Sequence, residues 1–422
     1  MKRVSLSWGM ASKALIKPMP LDRVRLAGAA DGLAAAAVIS LPWSTSATSI
    51  LVPLWAVVAA AMLDGASLRR MGATAAAALP VTLVVLAVAG TMWSQAPWPE
   101  AISGIAPFLK LLVIPLLFLQ FSQSSRSEAM LYAFLASAGA LLAASWLIFL
   151  FPQIPWKTDI PGVPVKDYII QSIEFTLCGF ALLDRAIAGW GKSRAASLIL
   201  SALALLFLGN IIFVVLGRTS IVIIIVLFGL LGLRHFERRA LTAFVAVGVV
   251  IAAGAWAASP YLRSRITHVA EELDASRANL NETSAGVRVG VWKMSLKVIG
   301  DAPLFGHGTG SIATMFARTA AADPGLPAGA TNPHNQVLAT AIQLGLLGVV
   351  VLLAMWVAQL RVFLLPGTTA WIGLSVVAQN IVGSLFNSHL FDFSHGWLYV
   401  FGVGIAGGAM LGKQVGETDR PS

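Results

Sequence analysis

The chain alternates between long apolar stretches and short polar breaks. Twelve of those stretches approach or exceed about 18 residues, the length at which a helix crosses a hydrocarbon layer about 30 Å thick. They fall at 26–43, 47–64, 71–93, 101–121, 128–151, 169–190, 197–216, 219–234, 240–258, 336–358, 368–388 and 395–412. The pattern predicts an all-α integral membrane protein of about twelve transmembrane helices. Only one polar segment, 259–335, has the length of a small domain, so the chain divides into helices 1–9 (1–258), a large helical loop (259–335), and helices 10–12 with a tail (336–422). A shorter segment, 152–168, holds Pro152, Pro155, Pro161 and Pro164, which forbid a continuous helix and predict a structured cap.

Inside the large loop the pattern changes again. A mixed-charge run from Tyr261 to Arg277 predicts a surface helix, and Asn281–Ser284 offers N-cap residues for a second helix over 285–299. That helix should stop at Gly300-Asp301-Ala302-Pro303. A glycine-rich run, Gly306-His307-Gly308-Thr309-Gly310, follows; without a preceding strand it predicts a tight turn or a close backbone approach to a ligand, not a dinucleotide site.

Composition agrees with a membrane solvent: 57% hydrophobic residues and 11% charged residues, with a mean hydropathy of +0.81, lie outside the range of soluble domains. The net charge of +10 would suggest nucleic acid in a soluble protein. Here it collects before the first span (Lys2, Arg3, Lys13, Lys17, Arg23, Arg25) and in the loops carrying Arg69–Arg70, Arg126, Arg185, Lys192, Arg194, Arg234, Arg238, Arg239 and Arg361. That distribution predicts cytoplasmic termini, an uncleaved first helix and no nucleic-acid partner. Cys178, the single cysteine, falls inside the sixth span and excludes an intramolecular disulfide.

The residues with chemical potential gather on the other, outer side. Five of six histidines, His268, His307, His334, His389 and His395, map there, and Asn332-Pro333-His334-Asn335 fixes the backbone where the tenth span begins. His334 is the candidate general base, with Asn335 beside it. Arg218, in the short turn Gly217-Arg218-Thr219-Ser220, and Arg288 are candidates for a phosphate clamp that Arg265 could extend, with Trp292 one turn beyond Arg288. Lys110, about mid-span in the fourth helix, reads either as a structural pair with Glu174 or as a ligand contact. The last outer loop, Asn387–His395, brings His389 and Asp392, and Asp392 is a candidate orienter of the His334 imidazole. Absence of an Asp-x-Asp pair and of acids in the first outer loop argues against a carboxylate-held divalent cation, and no cofactor is expected.

Gly217-Arg218-Thr219, Arg288-x-x-x-Trp292, Gly306-x-Gly308-x-Gly310, His334-Asn335 and Gly345-Leu346-Leu347-Gly348, set in a multispanning chain, resemble the O-antigen ligase and polymerase superfamily. The resemblance implies a glycosyltransferase C-like protein of the bacterial inner membrane. Its reaction would be metal-independent, inverting transfer of a glycan from undecaprenyl diphosphate to a lipid A–core sugar at the periplasmic face. Within it an O-antigen ligase fits best, an O-antigen polymerase is the main alternative and a protein-glycosylating ligase a further one. A lipid or glycan transporter would instead predict internal repeats and paired broken helices.

Overall fold

A computed structural model describes residues 21–65, 69, 72–156, 158–278, 283–323 and 325–418. Its helices are α1 (Leu21–Ser40), α2 (Thr45–Ala61), α3 (Ala75–Ala89), α4 (Trp98–Ser103), α5 (Ala106–Leu109), α6 (Val113–Gln123), α7 (Ser127–Leu150), α8 (Tyr168–Gly189), α9 (Arg194–Phe213), α10 (Arg218–His235), α11 (Arg238–Ala258), α12 (Pro260–Ala278), α13 (Ser284–Asp301), α14 (Ile312–Ala322), α15 (Gln336–Phe363), α16 (Thr368–Ser384) and α17 (Phe393–Thr418). No strand occurs among the described residues. The described part of each of the twelve apolar stretches lies mostly on helix, and among the described residues seven helical segments are long and apolar enough, by length and composition, to cross a membrane. The protein is an all-α membrane protein. The expectations placed on Lys2, Arg3, Lys13, Lys17, Arg70, Asn281 and Glu282 lie outside the described residues.

Side chains that would be costly exposed in water cover the periphery. Val245, Val247, Val249, Val250, Ile251 and Trp256 are exposed on α11, which buries no residue at all, as expected of a helix whose solvent is lipid. The interior instead closes through small residues. Along α17, a Cβ added at Gly404 would stand 2.6 Å from Leu117 Cβ, at Gly407 2.2 Å from Phe118 Cε1, and at Gly412 2.6 Å from the Ser122 carbonyl. Glycines at these positions let α17 lie against α6 at backbone distance, a packing mode that membrane helices favour because burial in lipid supplies little drive by itself.

The fourth span is not one helix. Between Trp98 and Gln123 it passes through α4, α5, a 3-10 turn at Lys110–Leu112, and α6. The tenth span, α15, is also interrupted, at Gly345 (φ 61°, ψ −160°). There the amides of Leu346 and Leu347 leave the helical ladder and donate to the carbonyls of Pro303 and Leu304 (2.8 and 3.3 Å). The carbonyls released, Ile342 and Gln343, accept from the amides of His307 and Gly308 (2.8 and 2.9 Å). Four main-chain bonds between segments thus replace two within the helix, so the amides of Leu346 and Leu347 and the carbonyls of Ile342 and Gln343 are all paired. The glycine-rich run is the other half of this joint: Gly306, Gly308 and Gly310 all have positive φ. A Cβ on Gly308 would stand 2.2 Å from Ser94 Cα, and one on Gly310 2.3 Å from the Glu100 carbonyl. The close approach anticipated for these glycines is made to the chain's own backbone, and it docks the large loop on α3, α4 and α15.

Two helices of that loop match the predicted ones. α12 covers the mixed-charge run, and α13 starts from Thr283, whose hydroxyl accepts from Gly286 N at 3.0 Å. The third, α14, was not anticipated; it buries Met315 and Phe316 against Val291, Met294 and Val298 of α13. The 152–168 cap is tied down by a buried polar network in which Gln171 Nε2 donates to the Gly162 carbonyl (3.1 Å) and to Ser145 Oγ (2.9 Å), and Asn210 Nδ2 donates to the same Ser145 (3.0 Å).

Candidate active site

The candidate residues meet at the end of the bundle where α8, α10 and α15 begin. α8 starts at an Asp167 cap that accepts from Ile169 N and Ile170 N (2.8 and 3.0 Å), which places Tyr168 at its first turn. α10 starts one residue after Gly217, whose Cβ would lie 2.4 Å from Ser172 Oγ. The Ser172 and Ser220 hydroxyls close this contact at 2.7 Å. The Gly-Arg-Thr-Ser turn therefore presses on α8 and puts Arg218 in the first turn of α10.

A cation at a helix N-terminus meets an unfavourable macrodipole. Arg218 is held there by a fork of two bonds to Glu272 of α12, Nη1–Oε2 2.8 Å and Nη2–Oε1 2.5 Å. The Glu272 carboxyl lies below its ordinary range, first because of the hydrogen bonds from Arg218 and further through the charge of Arg288. Arg265, also on α12, lies over the rings of Tyr168 (4.9 Å) and Tyr261 (5.8 Å) and donates to the Leu216 carbonyl at 3.3 Å. Among the described residues its Nε has no hydrogen-bond partner, and neither has Nε1 of Trp292.

Arg288, on α13, is the link between the two halves of the site. Burial and the charge of Arg218 push its guanidinium below the usual arginine range, while Glu272 and Tyr168 counteract. Among the described residues no hydrogen-bond partner meets it. Two guanidiniums, Arg218 and Arg288, thus share the field of one carboxylate, Glu272.

His334 sits in the other half. Its backbone has φ 49°, stabilised by its own N–H donating to Asn332 Oδ1 at 2.8 Å. Its ring Nδ1 meets Asn387 Oδ1 at 3.3 Å. A carboxamide oxygen only accepts, so this contact places the ring proton on Nδ1 and leaves the Nε2 lone pair free. Partial burial, and after it the charge of Arg288, hold the imidazole below the ordinary histidine range, partly offset by the bond to Asn387. A neutral ring with a free nitrogen is what a general base needs at neutral pH.

The neighbouring loop, 385–395, was expected to supply Asp392 as the partner of His334. That partner is Asn387 instead. Asp392 Oδ1 accepts from the amide and from Nδ1 of His395 (2.9 and 2.7 Å). Burial opposes ionisation of Asp392, but these bonds and the His395 charge outweigh it and lower the carboxyl to about 2. His389 stacks on His395, with ring centroids 4.2 Å apart and planes at 11°, and packs where any Cβ on Gly383 would collide with its ring. Burial first, then His395, pushes His389 well below the usual histidine range.

Asn335, expected to bind substrate, is the N-cap of α15. Its Oδ1 accepts from Val337 N and Leu338 N (2.9 and 3.1 Å), and its Nδ2 donates to the Leu385 carbonyl at 3.1 Å. Ser388 Oγ bonds Asn332 Oδ1 (2.8 Å) and Leu390 N bonds Gln336 Oε1 (3.0 Å), so the loops carrying His334 and Asn387 form one laced unit.

Lys110 does not pair with Glu174. It extends to the same unit and donates from Nζ to the Asp392 carbonyl at 2.8 Å, with its charge 5.9 Å from the Trp397 ring centroid. The partner of Glu174 is Lys166 of the cap, at 3.9 Å. Lys110 therefore acts as a strut under the 385–395 loop. Lys110→Met is expected to lower stability by about 1–3 kcal/mol, the range for a charged hydrogen bond, in a melting assay of the purified chain, without raising KM for either substrate. A large rise in KM with unchanged melting would return Lys110 to ligand binding.

The remaining histidines stand apart. His307 is buried, with Nε2 against the Val298 carbonyl at 2.7 Å, and His268 pairs with Glu271 on the surface of α12. Among the described residues no group of three or more His, Cys, Asp or Glu side chains is placed to hold a metal ion. Glu272 and Tyr168 belong to the site but were not singled out from the sequence. Asn332 and Asn387 appeared there only as members of the runs Asn332–Asn335 and Asn387–His395.

The fold and site together define an all-helical membrane protein with arginines and a histidine gathered at one end of its bundle. Residues 202–353 match the family described as O-antigen ligase. That match supports the resemblance to the O-antigen ligase and polymerase superfamily, and it spans the turn at Arg218, the helix of Arg288, and His334. No curated protein matches the chain.

Proposed function

We propose that the chain is an O-antigen ligase, transferring a glycan from undecaprenyl diphosphate to a sugar hydroxyl of lipid A–core at the periplasmic face of the bacterial inner membrane. The observation that carries this reading is the position of Arg288, whose charge acts both on the Arg218–Glu272 pair and on His334. A diphosphate at Arg288 would thus lie next to a base. The Glu272 carboxylate already occupies one arginine fork as an anion, and the donor diphosphate would take over that fork on binding.

In the reaction, Nε2 of His334 takes the proton of the acceptor hydroxyl as its oxygen bonds to the anomeric carbon. The bond from that carbon to the diphosphate breaks on the opposite side, which predicts inversion. The leaving diphosphate carries its charge into the field of Arg288 and Arg218, where fixed cations stabilise it more than water does. Asn387 would act as a positioning residue that keeps the proton on Nδ1. Asn387→Ala is expected to lower kcat about tenfold, the worth of one hydrogen bond, with little change in KM. Asn387→Asp retains an acceptor and adds a negative charge, which raises the His334 pKa and moves the acid limb of the pH profile upward. An unmoved limb in the aspartate variant would argue against this contact.

The break in α15 gives no support to a transporter, since its freed carbonyls are filled by residues 307 and 308 and line no path. The test is a reconstituted reaction with undecaprenyl-diphosphate-linked glycan and lipid A–core, with and without chelator. Glycan-capped core formed in the presence of chelator is the expected product. Lengthened lipid-linked glycan with an untouched core would assign a polymerase.

A further inference from the structure

An apolar crevice lies away from the His334 site, between α1, α7, α8, α16 and α17. It is lined mainly by apolar side chains such as Leu41, Leu135, Cys178, Ile372, Val376 and Phe401. Most of its polar residues, Ser127, Glu128, Arg185, Thr368 and Thr369, gather at one mouth, and Ser375 lies further along the slot. Tyr168, at the start of α8, is within the electrostatic field of Arg288. Arg185 lies 17 residues further along the same helix, about 25 Å at 1.5 Å per residue. The mouth therefore opens at the end of the bundle opposite the candidate active site.

The chemistry of this mouth is specific. Arg185 lies over the Tyr132 ring at 4.8 Å and donates from Nη1 to its hydroxyl. Its Nε is buried with no hydrogen-bond partner. Two helices begin at the same place: α7 at Ser127, where Arg126 offers no side-chain cap, and α16 at Thr368, where Gly367 offers none. The first-turn amides of both helices lack a side-chain acceptor, the arrangement that binds phosphate. Glu128 stands 3.9 Å from Arg185 and is largely exposed. An arginine and two helix starts set beside a carboxylate, above a slot that is apolar except for Ser375, complement a headgroup that carries a phosphate and an amine over an acyl chain.

We propose that this crevice binds one zwitterionic glycerophospholipid, of the phosphatidylethanolamine type, from the leaflet opposite the His334 site. Its phosphate would lie at Arg185 and the starts of α7 and α16, its amine at Glu128, and one acyl chain along the apolar slot past Cys178. The bound lipid would fill the gap between α7 and the α8–α16–α17 group. This inference rests on the membrane fold alone and stands whether or not the chain is a ligase.

Cys178, the only cysteine of the chain, gives the test. The full chain would be purified in detergent, stripped of lipid, and titrated with phosphatidylethanolamine, phosphatidylglycerol or undecaprenyl phosphate. Retained lipid would be read by native mass spectrometry and Cys178 alkylation by an apolar maleimide. One phosphatidylethanolamine per chain is expected, with alkylation slowed about tenfold, as for a site occupied nine-tenths of the time. Arg185→Gln should lose both signals, and Glu128→Gln should erase the preference over phosphatidylglycerol while keeping retention. Melting curves would check that both variants fold. The proposal is overturned if no phospholipid protects Cys178 in the folded wild type. It is equally overturned if undecaprenyl phosphate alone does, since the crevice would then hold the tail of a polyprenyl lipid.

Discussion

His334→Ala is expected to reduce kcat for glycan transfer by about 10²–10⁴-fold, the usual contribution of a positioned general base, while KM for the lipid-linked donor stays near its wild-type value. The side chain touches neither of the arginines expected to hold the diphosphate, so ground-state binding of the donor should survive its loss. The same residue sets the pH profile. A base works only when neutral, so activity is full above the pKa of His334 and is lost as pH falls through it. Burial and Arg288 hold that pKa below the ordinary value of 6.5, so the acid limb of kcat/KM should have its midpoint below pH 6.5. In the alanine variant the residual rate should show no such limb. A variant that keeps the wild-type rate, or one whose limb is unmoved, would remove His334 from the chemistry and direct attention to His389 or His395.

The sequence made the helices legible because the membrane imposes its own rule: a segment must be long, apolar and internally hydrogen-bonded, and each of these leaves a local trace. One cap was legible for the same reason, at Thr283 within the Asn281–Ser284 run, whose hydroxyl accepts from the amide three residues ahead. What stayed hidden is non-local. Glu272 neutralises Arg218 across 54 positions, and Asn387 meets His334 across 53. Neither pairing has a periodicity to betray it. Lys110 illustrates the same limit, because a lysine inside an apolar stretch announces that it has a partner without saying which. The joint at Gly345 was half visible: glycines at 306, 308, 310 and 345 signalled close approach, but only the fold shows that the approach is of backbone to backbone. Sequence similarity marked Arg218, Arg288 and His334 separately. The fold adds that Arg288 lies within electrostatic reach of both the others.

Arg288 therefore carries the second large effect. Arg288→Ala is expected to lower kcat by about 10²–10³-fold, the cost of removing one fixed group that stabilises developing charge. It should also raise KM for the donor, since the diphosphate is anionic before the bond breaks. Arg288→Lys keeps the charge but loses the planar fork that meets two phosphate oxygens at once, so it should recover only part of the rate. The arginine has a second, separable signature. Its positive charge depresses the His334 pKa, so removing it should move the acid limb of the residual activity to higher pH, whereas the lysine variant should leave the limb near its wild-type position. A residue that served only to pack α13 would lower the rate in both variants through stability and shift the limb in neither. Measuring kcat, KM and the acid limb for the two variants side by side thus separates a cation that binds the diphosphate beside the base from one that merely holds the loop in place.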